Sequence, residues 1–300
     1  MGTQMGMRTG MEEVFDTTHY DWTQCATHLV NEQILNIHRK LLPDVVFIQT
    51  QRGGIIDPRT AKLMRGTSFV ANWTGDVRDP VPDFYIELAP YVSVTLFTDM
   101  VEVEFMRKLG LKADFLHLGF NSEVYTNKGI VIDSKDIVFM GTHYPKNPYP
   151  LSEFRKEMVG RLMQTFGSDF AVYGFGWEMF KSGVMYLKDF EEAMVYRSCK
   201  IAINANHFSY PRYANSRTLK AMGSGAFCLA HQYPDMNKDF KVGKHLDSWQ
   251  TIDELIEKIN YYLENDKARN KIAKSGCEWV RANHTWVSRM KLLKEMAGLK

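Results

Sequence analysis

Arg217 and Lys220 stand three residues apart in Ser216-Arg217-Thr218-Leu219-Lys220, a spacing that puts both cations on one side of a helical turn. Asn215 or Ser216 just before them is a suitable N-cap, since a short side-chain oxygen accepts from the free amides of the first turn. A helix start already draws negative charge, and an Arg and a Lys beside it make a phosphate or diphosphate the natural guest. The alternative is a solvated basic face. Upstream, Lys200 to Ile203 is a short apolar run of strand type, and Pro211 forbids regular structure through the polar, aromatic stretch that follows. Phe227 to Ala230 reads as the next strand. Strand, open loop, helix start and strand together describe an anion site at the carboxyl edge of a parallel sheet.

The elements around this stretch repeat one rhythm. A helix over Cys25–Leu42 stops at Pro43, and Val45–Ile48 follows as a buried parallel-type strand. Its loop carries Arg52, Gly53 and Gly54, whose glycines permit close backbone approach to a ligand or simply make a turn. Asp57-Pro58 starts a helix, and Ser68–Trp73 is a strand ending in Thr74-Gly75-Asp76. Strands over Val92–Phe97 and Ala113–Leu118 flank a helix over Asp99–Leu109. The second half repeats the alternation, with strands at Asp136–Met140, Phe170–Tyr173 and Val184–Tyr186, and helices at Ser152–Thr165, Asp189–Ser198, Thr251–Glu264, Lys267–Ala282 and His284–Met296. Such alternation predicts an α/β protein of two doubly wound, Rossmann-like domains. Their expected limits are 1–122 and 123–300, the last helix being a candidate to pack back on the first domain. The first 24 residues fit no element clearly, Val14–Trp22 reading as strand or loop. No GxGxxG turn follows a strand there, which argues against a nicotinamide-type dinucleotide fold.

Composition narrows the partners. With 45% hydrophobic and 24% charged residues, the chain is an ordinary globular one. No apolar run reaches the ~20 residues of a membrane span. The N-terminus lacks the apolar core of a signal peptide. Cys25, Cys199, Cys228 and Cys277 show neither zinc-type nor disulfide-framework spacing, so a cytoplasmic protein is expected. Residues 1–125 hold 11 basic against 16 acidic side chains, and residues 126–300 hold 26 against 19. The second half is the better host for an anion, and the first is a poor surface for nucleic acid.

Several segments together carry a family likeness. Ser216–Phe227, Phe139-Met140-Gly141-Thr142, Tyr173-Gly174-Phe175-Gly176-Trp177 and the tail Ala273–Met290, with its His284–Arg289, resemble group 1 glycosyltransferases, especially the spore-maturation-protein-like branch. His117–Asn121 resembles the hinge of the two-domain GT-B fold. The first 110 residues match only in rhythm and in Asn72-Trp73-Thr74-Gly75-Asp76. The resemblance implies two lobes facing across a cleft, with a UDP- or GDP-linked sugar as co-substrate in the C-terminal domain and an unidentified acceptor on the N-terminal one. Gly141, Thr142, Ser216, Arg217 and Lys220 would then hold the phosphates. Trp177, Tyr186 or Tyr173 would pack on the base, Gly174 and Asn215 would line the base and sugar site, and Asn204, Asn206 and His207 would bond sugar or phosphate oxygens. Arg52, Gly53 and Gly54 would form an acceptor-side loop.

One departure stands out. Where many relatives carry a glutamate for the ribose hydroxyls, this chain has Lys220, which cannot accept hydrogen bonds. Asp76 is the candidate general base, with His19 and Asp99 behind it, or else a turn residue bonding its own backbone. A retaining enzyme would use the donor's phosphate instead, and the family leans that way. No metal site or other cofactor is expected. The expected function is metal-independent, retaining sugar transfer. The alternatives are a non-catalytic nucleotide-sugar-binding protein, or a transferase acting on modified nucleobases in DNA, for which no basic-aromatic stripe speaks.

Overall fold

The computed structural model describes residues 2–146, 149–180 and 186–299. Two compact units emerge, one of Glu12–His117 with Arg289–Lys300, the other of Met1–Met11 with Leu118–Ser288. The break falls at 117/118 rather than 122/123, and each unit takes a terminal segment from the far end of the chain.

In the first unit, α1 (Gly2–Val14) leads in from the other one, and then come α2 (Thr27–Leu41), β1 (Val45–Ile48), α3 (Pro58–Arg65), β2 (Phe69–Trp73), α4 (Asp83–Leu88), β3 (Val94–Phe97), α5 (Met100–Lys108) and β4 (Ala113–Phe115). The strands form a parallel sheet in sequential order β1-β2-β3-β4. Asp57 caps α3 by accepting from Thr60 N at 2.6 Å, with Pro58 in its first turn, and Asp99 caps α5 through Val101 N at 2.8 Å. Two apolar clusters line the sheet. One joins Ile48 and Val70 to Ala61 and Met64 of α3, and the other joins Phe97 to Val103 and Met106 of α5.

The second unit contains β5 (Ile137–Met140), α6 (Ser152–Phe166), β6 (Phe170–Tyr173), α7 (Asp189–Ser198), β7 (Ile201–Asn204), α8 (Ser216–Gly223), β8 (Phe227–His231), β9 (Asp247–Trp249), α9 (Ile252–Glu264), α10 (Asp266–Asn283) and the start of α11 (Trp286–Met296). Alternate residues of its strands feed two cores, as the period of a strand requires. Val138, Met140, Ala202 and Cys228 pack with Ala193 and Tyr196 of α7 and Leu219 and Met222 of α8. Ile137, Phe139, Ile201, Ile203 and Leu229 pack with Met158, Val159 and Leu162 of α6 and Leu255 and Ile259 of α9. With both faces covered, nearly every residue of β5 to β8 is apolar, which is why these four strands read as hydrophobic runs.

Strand order is β6-β5-β7-β8-β9, all parallel. The chain leaves β5 for β6 on one side, then returns to β7 on the other. Between β5 and β7 the winding reverses, and ligands of open α/β sheets bind outside the carboxyl ends of the strands at such a reversal.

The N-terminal segment that fitted no element is helical through Val14. Gly6 and Gly10 face the buried Trp286, where a Cβ on Gly10 would lie 2.8 Å from that residue's backbone. Glycines at i and i+4 let the two backbones approach, and this contact joins residues 1–11 to the second unit. Of the strand expected at Val184–Tyr186, Val184 and Met185 lie outside the described residues.

Candidate functional site

Three loops meet at the reversal. Gly141-Thr142-His143 leaves β5, and 174–177 leaves β6 and lies flat against it. Gly141 N bonds Tyr173 O and His143 N bonds Phe175 O, both at 2.8 Å. Only glycine fits at 174 and 176. Their φ values are +122° and +85°, and a Cβ would come within 2.5 Å of Gly141 O and 2.2 Å of His143 O respectively.

The third loop, 205–215, is held by three buried asparagines. Asn215 donates to Asn204 Oδ1 at 2.9 Å and to Asn206 Oδ1 at 2.7 Å, while Asn206 donates to Tyr213 O at 2.7 Å. Asn204 donates to the Thr218 hydroxyl. Asn215 Oδ1 caps α8 by accepting from Arg217 N at 3.0 Å. The asparagines therefore spend their amides on one another and on the helix start. Asn204 and Asn206, expected to reach sugar or phosphate, build the loop instead.

Into this corner comes a residue that the sequence reading missed. Arg155, on α6, is wholly buried. Its Nη1 donates to Thr142 O at 3.2 Å and lies 2.6 Å from His207 Nδ1, and its guanidinium sits 5.3 Å over the Phe139 ring. Arg155 Nε and Nη2 are buried with no partner among the described residues, and so is Nε of Arg217. Gly141 lies beside both guanidinium groups. No described carboxylate pairs with either arginine, although a buried charge is costly when it is left unpaired.

The electrostatics register this. Burial, with the Arg217 charge adding to it, pulls the Arg155 guanidinium down to about 9. Burial and the same two cations push His207 down to about 2, so its ring stays neutral and accepts from Arg155. Ser216, in the first turn of α8, is half-buried beside Arg217. What the arrangement can do is hold an anion with several oxygens, and a diphosphate suits two guanidinium groups and a helix start.

Other expectations need correction. Lys220 points away from any phosphate role. Its Nζ is 2.8 Å from Glu192 Oε2 and 3.6 Å from Asp189 Oδ1, and it lies 4.7 Å over the Tyr125 ring. Trp177 is wholly buried, donates to Gly141 O at 2.6 Å and stacks on His143, leaving no free face for a base. Tyr173 packs against the core beneath α7 and α8. Tyr186 is 69% exposed and stacks on the exposed Phe175 with ring centroids 5.8 Å apart, so this pair is the available aromatic platform.

In the first unit, Asp76 is exposed and pairs with Arg78 at 3.3 Å, and Arg78 also reaches Gln51, so the loops after β1 and β2 are tied together. Arg52 sits 5.1 Å over the Trp22 ring. Gly53 packs on Phe84, whereas Gly54, with φ +74°, faces open space. Among the described residues no three His, Cys, Asp or Glu side chains converge as metal ligands, and no helix is long and apolar enough to cross a membrane.

Comparison with solved structures gives matches over nearly the whole chain. HepE from Anabaena, in complex with UDP and glucose, aligns at TM-score 0.62 and 10% identity, covering 97% of this chain and 88% of that one. A glycosyltransferase from Rickettsia africae aligns at 0.61 and 10%, covering 97% and 86%. Sucrose-phosphate synthase from Thermosynechococcus elongatus aligns at 0.58 and 10%, covering 95% and 81%. At such identity the likeness is one of fold. No curated protein matches the chain. Two parallel-sheet, Rossmann-like units make this the GT-B fold, and residues 155–295, beginning at the buried arginine itself, match the glycosyl transferase-like family model.

Proposed function

We propose that this chain transfers a sugar from a nucleoside-diphosphate donor to an acceptor, with the diphosphate held by Arg155, Arg217 and the first turn of α8. The observation carrying the proposal is the pair of guanidinium groups at Gly141 without a carboxylate to balance them. The family match over residues 155–295 and the GT-B fold support the same reading. UDP is the first nucleotide to try, because HepE structures contain UDP and UDP-glucose.

When the anomeric C–O bond to the β-phosphate breaks, negative charge gathers on the departing diphosphate. Two fixed cations in a buried corner stabilise that charge without reorganising, which is the task a divalent ion performs elsewhere. The reaction is then metal-independent. The new bond forms between the acceptor oxygen and the same anomeric face, and the acceptor's proton passes to a phosphate oxygen, so configuration is retained. Phe175 and Tyr186 supply the platform for the base. Acceptor recognition falls to the loops around Asp76, Arg52 and Gly54.

Thermal melts with UDP and GDP, followed by UDP-sugar hydrolysis assays, test the proposal. Stabilisation by a nucleotide and slow release of free sugar are expected. Stabilisation with no turnover on any acceptor would favour a binding protein instead, and the absence of any shift would count against the site itself.

A further inference from the structure

β8 and β9 end side by side, with His231 level with Trp249 and Gln232 N donating to Trp249 O at 2.9 Å. The next residue of each strand is a glutamine. Gln250 Nε2 donates to Gln232 Oε1 at 2.6 Å. That bond leaves Gln232 Nε2 as a donor and Gln250 Oε1 as an acceptor, both uncommitted among the described residues. The two amides line a groove of about 510 Å³ together with Pro234, Asp235, Asn237 and Val242. Its volume lies within the roughly 300–1,000 Å³ of small-ligand clefts, and its place is again the carboxyl edge of the parallel sheet.

The chemistry differs from that of the guanidinium corner. None of the lining residues is basic, and the carboxylate of Asp235 is paired with Lys238 at 2.8 Å. An anion therefore finds no counter-charge here, and a neutral ligand is favoured. Amides set donors and acceptors side by side, which is what sugar hydroxyls need, since each hydroxyl both donates and accepts.

One loop, 205–215, borders both places. Near its start His207 meets Arg155. Further on, Arg212 N donates to Pro234 O at 2.9 Å, and its guanidinium grips Asp239 at 2.7 and 3.1 Å. Arg212 and Asp235 both have φ +61°, a backbone conformation that persists only where the surroundings fix it. Tyr149 and Tyr210 lie 5.3 and 5.2 Å from Phe208 of this loop, and Tyr149 is 40% exposed. Tyrosine rings combine an apolar face with a polar tip, a match for the C–H faces and hydroxyl edges of sugar rings.

We propose that the groove at Gln232 and Gln250 binds a neutral saccharide unit, and that this unit belongs to an acceptor chain of several sugars. Binding in the groove stands apart from the donor reading; calling the bound chain an acceptor rests on it. The unit that holds the donor thus also grips the acceptor, away from its reacting hydroxyl.

Calorimetric titration of the full chain with maltotetraose, cellotetraose, chitotetraose and mannotetraose, and separately with UDP, tests the proposal. At least one tetrasaccharide should bind wild type in the millimolar range or more tightly. Gln232→Ala and Gln250→Ala should each weaken it about fivefold, the double variant should abolish it, and UDP affinity and melting temperature should stay unchanged. A wild type that binds UDP but none of the four saccharides overturns the proposal and leaves the donor reading standing. Saccharide binding undiminished in the folded double variant overturns it as well. Saccharide binding that is lost in the double variant, in a wild type that binds no UDP, supports the groove and strikes the donor reading alone.

Discussion

Arg155 and Arg217 reach Gly141 from different helices, and a Cβ built on that glycine would lie 2.5 Å from Arg155 Nη2 and 3.7 Å from Arg217 Nε. Two like charges share one small space at the reversal of the second sheet. Proteins tolerate such an arrangement where function requires it.

Gly141→Ala should therefore damage the site more than the fold. The methyl group forces Arg155 off its Thr142 contact and occupies the approach to Arg217. We expect UDP and pyrophosphate affinity to fall at least tenfold, with a stability loss of about 1–2 kcal/mol from overpacking. Calorimetry and thermal melts check the two effects separately.

Lys220 should behave as a structural charge. Lys220→Glu sets a third carboxylate beside Asp189 and Glu192 and should cost about 3 kcal/mol. Adding Glu192→Lys should recover most of that loss. A double-mutant cycle on unfolding free energies gives the coupling.

Glu102 in the first unit is buried against Asp99, and burial, with Asp99 adding to it, holds its carboxyl well above the usual carboxylate range. Glu102 Oε2 and Asp99 Oδ2 are both buried without another partner, and Glu102 holds its proton. The folded protein keeps that proton where the unfolded chain, above pH ~4.5, releases it. Stability from this group is thus full in acid and declines as pH rises. Glu102→Gln should flatten the decline and stabilise by about 1–3 kcal/mol at pH 8, as seen in melts from pH 5 to 9.

His207 works in the opposite direction. Its folded value is depressed to about 2, so below its ordinary value of 6.5 the unfolded chain binds a proton that the folded one refuses. Stability from this group is full above pH ~6.5 and is lost on acidification. His207→Gln should remove about 1–2 kcal/mol of the loss between pH 7 and pH 5, readable from denaturant midpoints at each pH.

Much of the fold was legible because both faces of each sheet are covered. Runs such as Val45–Ile48 and Phe170–Tyr173 have the same limits in the structure as in the sequence reading. The short Asp247–Trp249 strand escaped notice because its Asp and Ser break the apolar pattern. Asp247 is satisfied by Tyr262 at 2.9 Å and by Lys258, contacts that only the folded chain creates. In the site, Arg217 and its cap were readable from local capping chemistry. Lys220 and Trp177 were misassigned because side-chain direction depends on partners far away in sequence, Glu192 and Gly141. Arg155 did leave a signal. It occupies the stripe Ser152, Arg155, Val159, Leu162 of α6, at spacings of three and four, and a lone arginine on an otherwise buried stripe marks a charge held inside for a purpose.

The most direct test is Arg217→Ala, followed by two readings on the same protein. Removing one of two unpaired neighbouring cations should leave the ligand-free melting temperature unchanged or raise it, while UDP affinity falls at least thirtyfold. An unaltered UDP affinity in a folded Arg217→Ala protein would contradict the account.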